Sequence, residues 1–497
     1  MLKIKINIDG LPLFKSRNLN SWPILCQVSN FPNSSPFPVG LWTGLQKPED
    51  VNEFLRAFVE EFKVLKNGFI FKNKTFFVEI DCFVCDAPAR AFVKQCKGHN
   101  AKKGCEKCHA EGKSVDHRMV FEGTDSRRRT DESFKEKIDK DHHKGTSVLN
   151  DIGVGMVTQF VLDPMHLLCL GVMKKLLNYI IFDTKKFYRL SRANIERLSS
   201  ALKTTATYVG SEFNRKGRGI NEMKFWKATE FRLFMLYTGP VLLKNVASEV
   251  VYYHFLHFHA AVTVMSSKEL IKKYLKEADS WLRKFVVCTS KIYGKTSLIY
   301  NFHNLIHLKD EVATYGPLWK WSAFCFENAL GIMKKLVRGP KRPHAQICKR
   351  MTERLALDRN SRRALSTIEG VKTHTKGPLP TYLQDAVQYE ELKMENFRLG
   401  LSFKDSHIQL KNGKIARICN IVKDAGGVFW LLTHVYQSRD ALYSHPIDSR
   451  KLNIFVVSSL EESITRFRLQ DLKCKLVAIP MPTNESEIAT FPLLHLT

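Results

Sequence analysis

The hydrophobic period of this chain changes along its length, and those changes constrain its fold more than any other feature. Leu2, Ile4, Ile6 and Ile8 alternate with Lys3, Lys5, Asn7 and Asp9. That is the period-two pattern of a half-buried strand, and it leaves Asp9 on the polar face at the strand's end. Further strands are expected over 22–28 and 37–43, separated by turns rich in Asn, Pro and Ser. Pro48, Glu49 and Asp50 then open a helix, since Pro suits the first turn and acids suit the helix dipole. Val51, Leu55, Phe58, Phe62 and Leu65 form its apolar stripe, and Asn67-Gly68 ends it as a left-handed cap. Residues 69–71 and 76–85 read as strands, the second running into Asp86. The order is βββ-α-β, with an acid at the end of the first and last strands.

Beyond this block the period shifts to about 3.6. Residues 162–177, 192–202, 231–243 and 269–287 all carry helical spacing, while the charged stretch 127–144 reads as an exposed loop or a fraying helix. Residues 324–337 predict one more amphipathic helix, with Glu327 near its start. From about 398, short apolar runs such as 415–422 and 429–436 are spaced by Gly, Asp and Ser, the mark of a small β-rich domain, read as a barrel. The expected organisation is a mixed α+β or α/β chain. Residues 1–110 form the first part of a core, 111–295 a large helical insertion and 296–345 the returning part of the core. Residues 346–397 are a basic and polar linker, and 398–497 the β-rich domain.

Charge narrows the partners. Lys plus Arg number 77 against 49 Asp plus Glu, a net charge of +28. A polyanion is the natural partner, and nucleic acid fits best because phosphate neutralisation releases counterions. An anionic membrane would need a basic amphipathic helix or an apolar anchor, and neither is read. Met1 to Gly10 alternates instead of forming the apolar block of a signal peptide. The most apolar stretch, 154–177, is interrupted by Asp163, His166 and Lys174, so no transmembrane helix is expected. The twelve cysteines are unevenly spaced, which favours a reducing compartment and makes close Cys pairs metal sites before disulfides.

Two sets of residues can carry chemistry. Two-metal phosphoryl transfer needs about three carboxylates around a pair of divalent ions. Asp9 and Asp86 at strand ends suit such a site, and Glu327 would have to return to the same sheet. Cys105 and Cys108 form a Cys-x2-Cys knuckle, and His303 and His307 lie at i and i+4 on one helical face. Together they make a Cys2His2 set for tetrahedral zinc, with Cys96, His99 and His109 as rival ligands. In Leu-Asp-Pro-Met-His the ordinary reading is a helix-capping Asp163 and a packed His166. The functional reading puts His166 near a scissile phosphate or holding a catalytic loop. Arg90 either contacts DNA backbone or pairs with an acid. Lys334, Lys335, Arg338, Lys341 and Arg342 make a basic tract suited to phosphate contact.

Six blocks, in order, resemble those of CACTA/EnSpm-like DDE transposases. They are IDGLPLFKSRNLNSWPIL, FVCDAPARAFVKQCKGHNAKKGCEKC, RRRTDESF, LDPMHLLCLGVMKKLL, FHNLIHL and GPLWKWSAFCFENALGIMKKLVRG. The similarity spans roughly residues 4 to 480 and is closest to animal transposase domain-containing proteins. It implies an RNase H-like catalytic core interrupted by an all-helical insertion. It carries the triad over to Asp9, Asp86 and Glu327, holding two Mg2+ or Mn2+ ions that serve strand cleavage and strand transfer. In the similar V(D)J recombinase core a Cys-x2-Cys follows the second Asp and a His pair precedes the Glu to bind zinc. Here Cys105 and Cys108 follow Asp86, and His303 and His307 precede Glu327, at similarly short separations. That order implies structural Zn2+. The resemblance further implies double-stranded DNA as partner, homo-oligomerisation, nuclear localisation and no membrane. Full-length members usually carry an N-terminal DNA-binding region, whereas Asp9 stands close to the first residue of this chain. The alternative expectation is therefore a truncated or domesticated, non-catalytic, zinc-stabilised DNA-binding scaffold.

Overall fold

A computed structural model describes the whole chain except residues 15–17, 32–33, 185, 362–367 and 496–497, together with the side chains of 355 and 357–361. Residues 15–17 of the first family-like block and 362–367 of the expected linker thus lie outside the described residues. The chain divides into two compact units, one of Met1–Val172 with Thr289–Arg363 and one of Met173–Cys288 with Ala364–Thr497.

The first unit is built on a twisted sheet. Strand β1 (Leu2–Ile8) pairs antiparallel with β2 (Asn20–Val28), which pairs antiparallel with β3 (Phe37–Gly44). After helix α1 (Val51–Asn67) the chain returns as β4 (Val78–Cys85), parallel to β1, and later as β5 (Phe160–Leu162), parallel to β4. The sheet thus runs β5-β4-β1-β2-β3, with residues 11–12 pairing on β2. Alternation decides its faces: Ile4, Ile6 and Ile8 join Ile80 and the α1 stripe of Val51, Leu55, Phe58 and Phe62 in one buried core. Asp50 caps α1 by accepting from the Asn52 amide, and Gly68 ends it with φ 106°.

Strand β5 corrects the sequence expectation, which placed 111–295 in one helical insertion. Phe-Val-Leu is three residues long and apolar throughout, and so short a run has no period to read. Its pairing with β4 keeps residues up to Val172 in the core unit. The 346–397 linker is corrected too. It contains most of the helix Pro343–Ser361 and the strands Glu369–His374 and Val387–Lys393, both part of the C-terminal sheet.

The second unit joins the helical segment to a β-rich domain. In that domain Ile415–Lys423, His407–Leu410, Leu472–Met481, Asn484–Pro492, Phe455–Leu460 and Phe429–Asp440 pair in turn, and the last pairs back on the first. This is a closed ring of antiparallel strands, so its central strands expose no free edge. Lys475, 2 % exposed, fastens the ring to the helical segment through Glu212 at 2.7 Å and pairs with Asp405 at 2.6 Å. Among the described residues one helix, Met165–Phe182, is long and apolar enough to cross a membrane by length and composition, and 67 % of it is buried inside the protein. None of the twelve cysteines is in a disulfide.

Candidate functional site

Three neighbouring parallel strands deliver an acid at the same edge of the sheet. Asp9 follows β1, Asp86 follows β4 and Asp163 follows β5. In an open α/β sheet the carboxyl ends of parallel strands are where ligands bind. Each acid meets a different environment. Asp9 is half-buried and accepts from the Gly10 amide at 2.7 Å. Asp86 is the N-cap of helix α2 (Ala87–Lys94) and accepts from the Ala89 amide at 2.7 Å. Asp163 is fully buried and accepts from the backbone N–H groups of Met165, His166 and Ala323.

The Ala323 bond matters because helix α3 (Phe324–Leu336) starts at the next residue and carries Glu327 on its first turn. Glu327 arrives beside Asp9, and with His166 the three offer ligand atoms all within 4.8 Å of one another. Asp86 stands outside this closest group but close enough to act on it. Burial, then the charges of Asp86 and Glu327, push the Asp9 carboxyl up to about 7. Burial, followed by Asp163 and Asp86, raises Glu327 against the opposing effect of His166. Burial opposes charge on His166, yet its hydrogen bond to Asp163 and the charges of Asp163 and Glu327 outweigh that and push the imidazole up to about 9. Crowded, half-buried carboxylates of this kind repel one another, and a divalent cation between them offsets that repulsion.

The sequence paired Asp9, Asp86 and Glu327. The structure brings Asp9 and Glu327 into ligand range of each other and places Asp86 at the end of the adjacent strand. Asp163 is the capping acid of the ordinary reading, but His166 is no packed core residue. It faces the carboxylates with 26 % of its side chain exposed. No periodicity signals this; the traces are an Asp followed three residues later by a His and the family-like block in which the two stand.

A second cluster lies deep in the same unit. Cys105, Cys108, His303 and His307 are all buried and present ligand atoms within 4.8 Å of one another. The Cys105 and Cys108 sulfurs are 3.5 Å apart, Cys108 Sγ is 3.3 Å from His303 Nε2, and Cys105 Sγ is 3.5 Å from His307 Nε2. Tetrahedral zinc, with bonds of about 2.3 Å to sulfur and 2.0 Å to nitrogen, holds its ligands about 3.3–3.8 Å apart, so the donor set fits zinc. The protonation states suit it as well. The Cys105 hydrogen bond is the main cause bringing the Cys108 thiol down to about 7, and burial keeps His307 neutral at about 4. The rivals lie elsewhere: His99 packs edge-on against Tyr300, His109 faces Asp139, and the Cys96 backbone bridges to His143.

The two residues inside the knuckle fasten it to both walls of the carboxylate site. Glu106 pairs with Arg90 at 3.0 Å and Lys94 at 2.9 Å, both on α2, and accepts from the Tyr300 hydroxyl at 2.7 Å. Burial opposes its charge, yet the two cations hold Glu106 well below the usual carboxylate range. Lys107 pairs with Glu311 at 2.6 Å and donates to the carbonyls of Val157 and Phe160, while Glu311 accepts from the Leu162 amide. Together they satisfy the Phe160 carbonyl and the Leu162 amide of β5. Of the two readings of Arg90, DNA contact is therefore corrected: its side chain is 4 % exposed and committed to Glu106, Tyr300 and the Cys85 carbonyl. In the basic tract Lys334 donates to the Pro12 carbonyl, whereas Lys335, Arg338, Lys341 and Arg342 lie at or near the surface.

Residues 373–493 match the family model of a domain of unknown function, DUF8592. This stretch covers the ring domain and none of the carboxylate or Cys2His2 residues. No curated protein matches the chain.

Proposed function

We propose that this chain is a DDE transposase-like protein of the CACTA/EnSpm type, nuclear and oligomeric, which cleaves double-stranded DNA and transfers the cut strand. The observation that carries this reading is the meeting of Asp9 and Glu327, which come from distant parts of the sequence, with Asp86 at the end of the neighbouring parallel strand. The βββ-α-β order of the first unit supports an RNase H-like core, and the Cys2His2 cluster supports structural zinc at the position the resemblance implies.

Asp9, Asp86 and Glu327 would hold the catalytic ions through hard carboxylate oxygens, which suit Mg2+ and Mn2+. Two such ions, when bound, activate a water or a DNA 3′-hydroxyl and stabilise the leaving 3′-oxygen. The chain's own groups do the rest. Asp9 and Asp86 are held by amide hydrogen bonds at the ends of rigid strands, which fixes where the reacting phosphate sits. Glu327 is positioned through the clamp from Asp163 to Ala323. Lys335, Arg338, Lys341 and Arg342, following Glu327 along α3 and the loop after it, supply cations for the DNA backbone.

The test is nicking of supercoiled plasmid by the full chain with Mn2+ or Mg2+. Asp86→Asn should abolish nicking and leave salt-sensitive DNA binding in place. Binding without metal-dependent nicking in the unaltered protein would refute the enzyme and favour the zinc-stabilised scaffold.

A further inference from the structure

The environment of His166 is that of a metal ligand. Its Nδ1 lies 2.7 Å from Asp163 Oδ2. A carboxylate only accepts, so Nδ1 carries the hydrogen and Nε2 is left facing the site. Nε2 is 3.8 Å from Glu327 Oε1, inside the span of about 4.2 Å available to two ligands of one ion with bonds of about 2.1 Å. Asp163 is 0 % exposed and pinned by three backbone amides, so the imidazole is aimed before anything binds. A buried carboxylate holding one ring nitrogen while the other points at converging acids is how proteins orient a ligating histidine.

We infer that Asp9, His166 and Glu327 form a mixed carboxylate–imidazole site for one divalent transition ion, with Asp163 as its positioning residue. The inference rests on the metal-dependent reading above and deepens it: the first ion is bound by nitrogen as well as oxygen, and Asp86 serves a neighbouring position. On coordination the ion takes the place of the Nε2 proton, which leaves to solvent. Such a donor set favours Mn2+, and later ions of the first transition row, over Mg2+, because Mg2+ prefers an all-oxygen shell. The imidazole therefore sets metal choice, a property that a purely carboxylate triad lacks.

The experiment is pulsed electron paramagnetic resonance of Mn2+ added to the full-length, zinc-saturated protein, together with Mn2+ and Mg2+ binding isotherms. Modulation from a directly bound 14N nucleus is expected. In His166→Ala it should vanish, Mn2+ affinity should fall at least about tenfold, and the preference for Mn2+ over Mg2+ should shrink. Asp9→Asn should weaken both ions alike. Mn2+ that binds with no 14N coupling in the unaltered protein would overturn the histidine ligand and leave the carboxylate reading standing. It would mean that His166 pairs with Glu327 as a counter-ion. Absence of Mn2+ binding at millimolar concentration would overturn both. The unaltered protein decides the coordination directly, so the inference remains falsifiable even if a variant misfolds.

Discussion

Glu106→Gln tests whether the knuckle organises the carboxylate site. Glu106 is the shared counter-ion of Arg90 and Lys94, whose side chains are 4 % and 0 % exposed. Gln keeps the shape and can still accept from Arg90 Nε or the Tyr300 hydroxyl, but it leaves two buried cations beside each other without a carboxylate. Breaking a buried pair by removing one partner costs about 3–5 kcal/mol. The retained hydrogen bond argues for the lower end, and the second cation for the upper. Because α2 begins at Asp86 and carries both cations, the loss should appear first in β4 and α2. Hydrogen exchange of peptides within 78–110 reads it locally. At about 1.4 kcal/mol per decade, the slowest amides there should exchange roughly two to nearly four decades faster, with peptides of the ring domain unchanged and zinc content retained. Protection that falls by less than tenfold would refute the claim that Glu106 holds this wall.

Two further outcomes follow from the same structure. Cys108→Ser, or chelation, removes a cross-link between residues 108 and 303; closing a loop of that length is worth about 5 kcal/mol on the chain-entropy estimate. Exchange protection around 78–110 and 300–315 should collapse on metal removal, and a protein that purifies without zinc, or ignores the chelator, would count against the site. The second unit should be acid-sensitive: burial is the main cause that lowers His254 and His407 to about 3 and His259 to about 4. Their folded values lie below the unfolded value of about 6.5, so the unfolded chain takes up protons first as pH falls, and stability present above pH 6.5 is lost toward pH 4. By pH 5 the loss is about 2 kcal/mol for each histidine, and a second-unit melting transition that stays fixed between pH 7.5 and 5 would contradict it.

Much of the core was legible because its signals are local. The alternation of Leu2 to Ile8, the apolar stripe from Val51 and Gly68 each act within a few residues and predict their elements without knowledge of the rest, although the helix starts at Val51, with Asp50 as its cap, and not in a first turn holding Pro48. What escaped was set by partners far away in sequence. Phe160–Leu162 is a strand because β4 offers it a parallel edge and because Lys107 and Glu311 cover its other side. Nothing in three apolar residues says so. For Arg90 the sequence leaves DNA contact and pairing with an acid equally open, and only Glu106 and Tyr300 around it decide for the pair. His166 looked like a packing residue since its importance lies in Asp163 fixing one nitrogen and Glu327 arriving from far downstream in the chain. The boundaries at 110, 346 and 398 failed for a related reason: composition changes there, but pairing does not. Glu369–His374 and Val387–Lys393 are mostly polar in sequence and join the C-terminal sheet as outer strands.

The Cys2His2 cluster explains how a site can depend on residues so distant in the chain. Between Cys108 and His303 the chain leaves the first unit, contributes residues 173–288 to the second, and returns. Without a tether, the position of Glu327 relative to Asp9 would depend on the conformational freedom of that whole excursion. A metal held by Cys105, Cys108, His303 and His307 would close the excursion at its base, shortly after Asp86 and shortly before Glu327. The knuckle then passes that rigidity on through its own side chains, with Glu106 reaching the helix that Asp86 caps and Lys107 the strand that ends at Asp163. From Asp163 the path runs to Ala323 and so to Glu327. The links made by Glu106, Lys107 and Asp163 are buried ion pairs or hydrogen bonds between named atoms, and the backbone carries the rest. On this account a zinc-site variant should degrade divalent-ion binding at Asp9, His166 and Glu327 even though no zinc ligand belongs to that site.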